Sequence, residues 1–355
     1  MKKARWASLA LALAAGAAAA QGYGTSGKGD FSSTSQGFGA SDYGTSGNFG
    51  VKKGYGILLL AHGGGRDWNR AVDDVRKTVS AKKIPIEVAF GMADPAAIQS
   101  AIDRLAEQRA QKIVVVPLFI SSHSEVIDQT MYVLGMRQTP SEEFMNAPHS
   151  HMAHSTVKRA QAKVPLVMTS ALDDHPIVAD ILLDRAKSLS RNPSKEFVLL
   201  VGHGPLRDVD NQVWLQTMNR LGAKVQKQGG YKGVFAATLR DDSPPEDRKK
   251  ADKVLRDLVS RLGKKGPVLV VPHLISAGGI EKHVQASLNG LFYKWNGKTL
   301  LPDSRMAHWV LETAAKNADK PNMRKFTDAG KPLPPPEQKR LVPMESPSSR
   351  RSNGY

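Results

Sequence analysis

The chain is 355 residues long, carries a formal net charge of +17 and contains no cysteine. That length allows two domains of ordinary size with sizeable cores. The lack of thiols excludes disulfides, lipid attachment through cysteine and thiolate metal sites, so any metal ligand is His, carboxylate or Met. The basic excess suits attraction to an acidic ligand such as a polycarboxylate or to an anionic surface, and equally suits a solvated basic face. The Lys and Arg residues are scattered and resemble no nucleic-acid module, so no nucleic-acid partner is expected.

Residues 1–20 read as a secretory signal peptide: Lys2, Lys3 and Arg5, an apolar run from Leu9, then Ala18-Ala19-Ala20 before Gln21. The expected location is outside the cytoplasm, in a periplasm or the extracellular space, and no later stretch predicts a stable membrane span. Residues 21–53 are rich in Gly, Ser, Thr and Tyr and are expected to form a linker. Strand 57–61 follows, then a helix bearing Trp68, Val72, Val75 and Val79 on one face, with Asp67 as its expected cap. A strand at 86–90 leads to Asp94-Pro95, an N-cap followed by proline at the first helical position, with Ile98, Ile102 and Leu105 on the buried stripe. The β-branched run 113–119 suits a parallel strand covered on both faces. A short strand at 166–168 and a helix at 177–189 complete the first domain, expected over 54–190.

A second domain is expected over 191–316 and repeats this order. Strand 197–201 precedes a helix bearing Trp214, Met218 and Leu221, strand 233–239 precedes helix 246–262, and strand 268–274 precedes a helix at about 281–292. The last helix carries Val284, Leu288, Leu291 and Trp295 as core positions. Residues 317–355 are Pro-rich and basic and are expected to form a disordered tail. The fold class is therefore α/β, two similar parallel-sheet βαβ domains related by internal duplication, with a cleft between them. Ligands of such sheets sit outside the carboxyl ends of the strands.

One motif occurs twice at those ends. An apolar strand runs into His62-Gly63-Gly64 in the first half and into His203-Gly204 in the second. Each copy is followed by a strand with a late proline and then a histidine: Pro117 and His123, Pro272 and His283. An α/β-hydrolase oxyanion loop would need a Gly-x-Ser-x-Gly elbow, which is missing. A histidine phosphatase would need Arg before His, where Ala61 and Gly202 stand. Metal or tetrapyrrole chemistry needs a second histidine at the same sheet edge, and His123 and His283 supply it. A strand-end turn with an incidental histidine is the alternative without function.

The chain resembles the class II chelatases, the sirohydrochlorin cobaltochelatase and ferrochelatase group, in their long two-domain form. The resemblance lies in Leu59-Leu60-Ala61-His62-Gly63, in Ala89-Phe90 with Asp94-Pro95, in the strand 114–119 with its following histidine, and in Ala-Leu-Asp-Asp-His-Pro at 171–176. It implies a lyase that inserts a divalent metal, Co2+ or Fe2+, into a tetrapyrrole such as sirohydrochlorin, with the metal as substrate and no nucleotide. Imidazoles suit both tasks, binding first-row metals and accepting pyrrole protons. Carried over by position, His62 and His123 are the expected catalytic and metal-binding pair, and His203 with His283 forms a second, looser pair. The glutamate that the family carries after its second strand is missing: Phe90 is followed by Gly91-Met92-Ala93, which leaves Glu125 or Asp94 as substitutes. His175 and His273 are accessory candidates, the former also reading as a helix cap. His149, His151 and His154 form a metal-binding or merely solvated loop. The rival reading is a non-catalytic exported protein that binds metal or tetrapyrrole on the same fold.

Overall fold

The computed structural model describes residues 54–146 and 157–327. The expected signal segment, the expected linker at 21–53, and the His149, His151 and His154 loop lie outside the described residues. Strand β1 (Tyr55–Ala61) is buried at every position, as a central strand covered on both faces must be. It pairs in parallel with β2 (Ile86–Phe90) and β3 (Lys112–Pro117), and β3 pairs with the short β4 (Leu166–Met168), giving the order β2-β1-β3-β4. Strand β5 (Phe197–Gly202) holds the same central place between β6 (Gly233–Thr238) and β7 (Val268–His273). The registers correspond: Leu60 pairs with Pro117 and Val201 with Pro272, each two residues before the histidine that ends its strand. Two parallel-sheet α/β units are thus present, as the alternating pattern predicts.

The strand positions alternate between two environments. Leu58, Leu60, Ile113 and Val115 pack with α2 (Pro95–Glu107) and α3 (Glu125–Val133) on the outer face of the first sheet, and the short α4 (Glu142–Asn146) packs on α3. Leu199, Val201, Val268 and Val270 pack with α7 (Pro245–Gly263) and α8 (Ile280–Ser287) on the outer face of the second. The inner faces share one continuous core, in which Ile57, Leu59, Val114 and Val116 join Val198, Leu200, Leu269 and Val271. Its helices are α1 (Arg66–Ser80), α5 (Pro176–Lys187), α6 (Asp208–Gly229) and α9 (Arg305–Asn317).

Two of these helices cross over. Helix α5 precedes the second sheet in sequence yet packs on α6 and β7, and α9, the last helix described, packs on α1 and β3 of the first. The boundary expected at 190/191 separates the strands of the two sheets but not their helices. The chain after α9 also departs from the expected tail over 317–327. Met323 donates its backbone N–H to Leu166 and packs into the outer core of the first sheet, and Lys325 donates to Gly135. Arg159, buried, places its guanidinium over Tyr132 and Phe326 and donates to the Thr327 carbonyl.

Local signals mostly hold, with small corrections. Asp94 caps α2 and accepts from the N–H groups of Ala96 and Ala97. Asp67 does not cap α1: Gly65 holds the N-cap position, and Asp67 lies in the first turn, where its negative charge interacts favourably with the helix dipole. Helix α8 ends at Ser287, short of the expected 292, although Leu291 and Trp295 still pack against the core. No helix among the described residues is long and apolar enough to cross a membrane.

His273 breaks the apolar pattern. It is 0% exposed, neither ring nitrogen has a partner, and burial pushes it down to about 4. The shared register gives its place in the first sheet to Leu118, also fully buried. Because the folded value lies below the ordinary 6.5, the unfolded chain takes the proton first. The neutral ring's contribution is intact above pH 6.5 and is lost as pH falls towards about 4. His273→Leu is expected to stabilise the protein by roughly 1–2 kcal/mol at neutral pH, by removing two unsatisfied polar atoms. Thermal melts between neutral and acid pH should also show a shallower acid limb; an unchanged limb would mean that another group governs it.

Candidate functional site

His62 immediately follows β1 and His203 immediately follows β5, so each central strand delivers one imidazole to the carboxyl edge of its sheet. The next residue has the same backbone in both copies: Gly63 at φ +82° and Gly204 at φ +83°, a left-handed conformation that glycine adopts without strain. There is little room for a side chain. A Cβ on Gly63 would stand 3.3 Å from the Cβ of Phe90, and one on Gly204 2.8 Å from the Cβ of Thr238. This turn brings the glycine carbonyl to the histidine ring, 2.6 Å from Nδ1 in His62 and 2.8 Å in His203. A carbonyl only accepts, so Nδ1 carries the hydrogen, and Nε2 is left with its lone pair for a metal or a proton.

Both histidines line one cleft of about 260 Å³, between the two sheet edges. Trp68 from α1 and Trp214 from α6 form apolar walls, with Ile120 and Ile275 following β3 and β7. The Trp214 indole N–H donates to the backbone carbonyl of His123 at 2.6 Å, tying the second half to the loop that precedes α3. That loop is held by Asp173, whose carboxylate accepts from Ser122 N–H and Ser122 hydroxyl, both at 2.7 Å. The Ala-Leu-Asp-Asp-His-Pro segment thus works as a brace. Asp174 pairs with Arg220 of α6 at 2.6 Å; burial raises its carboxyl, but this pair outweighs it and holds the group below its ordinary range. His175 caps α5, its Nδ1 accepting from Ile177 N–H, and burial pushes it down.

The brace positions a carboxylate. Ser124 caps α3, accepting from Ile127 N–H, and Glu125 opens the helix inside the cleft lining. Glu125 is 5% exposed, and its Oε2 has no partner. Burial pushes its carboxyl up, and Asp242 and Asp210 add to the rise, while its own N–H and that of Leu206 oppose it. The second half contributes Asp242, whose Oδ2 lies 3.4 Å from Nε2 of His203. Each half therefore supplies one imidazole and one carboxylate.

The other candidates fall elsewhere. His123 is exposed and is not among the cleft-lining residues. His283 also lies outside the lining, held between Asp241 and Asp252, with Nε2 3.2 Å from an Asp252 oxygen. His273 is buried in β7, and Asp94 is occupied as a helix cap. Among the described residues no three His, Asp or Glu groups come together as a metal site. Sequence reasoning missed Asp242 and the two tryptophans as site residues. Asp242 had a signal, a carboxylate shortly after β6, on the same edge where the first half has only Gly91-Met92-Ala93 after β2.

Residues 56–189 match the CbiX family model. That match spans less than half of the chain, and over it the chain is similar to the CbiX family. Among solved structures it is similar to SirB from Bacillus subtilis with Fe3+, at 16% identity and a TM-score of 0.50, over 75% of this chain and 96% of that one. It is also similar to DR2241 from Deinococcus radiodurans, described as a multi-domain protein with structural similarity to chelatases, at 17% identity and a TM-score of 0.50, over 75% of this chain and 55% of that one. No curated protein matches the chain.

The glycine geometry carries a direct expectation. Gly63→Ala should cost about 1–2 kcal/mol, the usual penalty of a left-handed non-glycine residue, and Gly204→Ala should cost more because its Cβ also meets Thr238. Denaturant midpoints check the order. Equal midpoints for both variants and the parent would mean that the turns relax freely.

Proposed function

We propose that the protein inserts a divalent metal, Co2+ or Fe2+, into a tetrapyrrole held in the cleft. The observation that carries this reading is the pair of imidazoles, one from each sheet, that line a common cleft with Nδ1 of both rings held by a glycine carbonyl. A macrocycle brings its own nitrogens to the metal, so the protein need supply only one or two further donors.

Insertion displaces two pyrrole protons, and the cleft offers acceptors for both. His62 and His203 act as metal-facing groups and bases, and Glu125 supplies the carboxylate that the loop after β2 lacks. The tryptophan and isoleucine walls exclude water and seat the flat ring. The iron bound in the SirB structure supports a first-row metal. Sirohydrochlorin is the macrocycle that the family resemblance supplies. The matching registers and matching His-Gly turns support duplication of an ancestral half, and the basic, apolar N-terminus supports action outside the cytoplasm.

Following macrocycle absorption on mixing with Co2+ or Fe2+ tests the reading. Multiple turnovers are expected from the wild type. His62→Ala and His203→Ala should each slow metallation about a hundredfold, whereas His123→Ala should leave most of the rate. One stoichiometric absorbance change without further turnover would instead make the protein a binding protein on the chelatase fold.

A further inference from the structure

A second surface lies at the end of the second sheet remote from the cleft. The strands of that sheet are parallel, so the residues that precede them gather at one edge. Lys195 precedes β5, Lys232 precedes β6, and Lys264 and Lys265 precede β7; all four are exposed. Hydrogen bonds hold these approaches together. Lys232 N–H donates to the carbonyls of Pro193 and Glu196 at 3.0 Å, and its ammonium donates to the Lys265 carbonyl at 2.7 Å. The single acid in segments 191–196, 229–232, 263–267 and 289–298 is Glu196, buried and paired with Lys294 at 2.8 Å. Phe292 stands at this edge and is 95% exposed, the most exposed large apolar side chain among the described residues. It borders an open groove of about 590 Å³ lined by Val259, Pro267, Leu291 and Lys264. Strand β7, between this groove and the cleft residues Leu274 and Ile275, spans about 20 Å.

We propose that this edge rests the protein on an anionic phospholipid bilayer, with Phe292 entering the interface and the four lysines facing lipid phosphates. An exposed aromatic ring gains by leaving water for the acyl boundary, and lysines beside it gain from the negative surface potential. The two features act together, since stable attachment takes both an apolar insertion and a basic patch. A nucleic acid would meet the same charges. The cations at the strand starts are lysines, however, without the guanidinium fork that suits bidentate recognition, and the apolar groove beside Phe292 suits acyl chains. A protein docked in this way presents the carboxyl edge of the sheet, and with it the cleft, away from the bilayer. Docking is independent of metallation and of the tetrapyrrole reading.

The chain contains no cysteine, so single cysteines placed in the full chain report on chosen positions. Phe292→Cys carries an apolar, environment-sensitive fluorophore in place of the ring. Asp67→Cys, one residue before the cleft-lining Trp68, carries the same label as a control. Each is mixed at physiological ionic strength with vesicles of phosphatidylcholine alone or with about one-third phosphatidylglycerol. Only the label at 292 is expected to shift to the blue, and only on the mixed vesicles. In the unlabelled chain, Lys264→Glu together with Lys265→Glu should weaken co-sedimentation with the mixed vesicles about tenfold, and Phe292→Ser about fivefold. All three side chains are exposed, so the fold is expected to survive these changes. Vesicle binding with the label at 292 still in water, or binding unmoved by both sets of substitutions, overturns the proposal by placing the contact elsewhere on the chain. Equal binding to neutral vesicles, or binding to neither kind, overturns it as well. A larger shift at 292 with duplex DNA than with the mixed vesicles makes the edge a nucleic-acid surface and overturns the bilayer. A shift at 67 equal to that at 292 overturns the orientation.

Discussion

The site depends on the core that the two sheets share. Neither sheet covers its own inner face with helices from its own stretch of sequence alone: α5 is contributed to the second sheet from before it, and α9 returns to the first from after it. The inner faces of both sheets therefore drain into one apolar cluster. Burial of that cluster, at about 25 cal/mol per Å² of apolar surface, holds the two carboxyl edges against each other. The cleft is the gap that remains where this packing ends, and the exchange of helices makes its width a property of the whole core.

Within that frame the chemistry is set by a small backbone device used twice. The left-handed glycine after each strand turns its carbonyl onto Nδ1, which selects the tautomer and leaves Nε2 open. The carboxylates are not equivalent in the same way. Asp242 comes from the loop after β6 and meets His203 directly, whereas Glu125 comes from a helix start braced by Asp173 and is buried. The two halves thus share the imidazole geometry and differ in how they bring an acid to it.

The strands were legible because buried parallel strands read as continuous β-branched and leucine runs, and 86–90 and 166–168 match the structure to the residue. Helix α3 was not, since residues on nearly every side of it are buried, including Glu125, Gln129 and Thr130, so no apolar stripe stands out. The positions of α5 and α9 depend on which sheet has an uncovered face, a non-local fact that spacing does not carry. In the site, the repeated His-Gly pointed to His62 and His203 at once. Pairing each with the next histidine along the chain did not anticipate that the cleft lining brings these two together and omits His123 and His283. Proximity across the halves is decided by packing.

The central claim is that His62 and His203 act on one ligand. A double-mutant cycle on kcat/KM for metallation, built from His62→Ala, His203→Ala and the double variant, measures this directly. Two groups serving one metal and one macrocycle should be strongly non-additive, with the double variant little worse than the poorer single one. Fully additive losses would contradict the account, because they would describe two independent sites that merely share a fold.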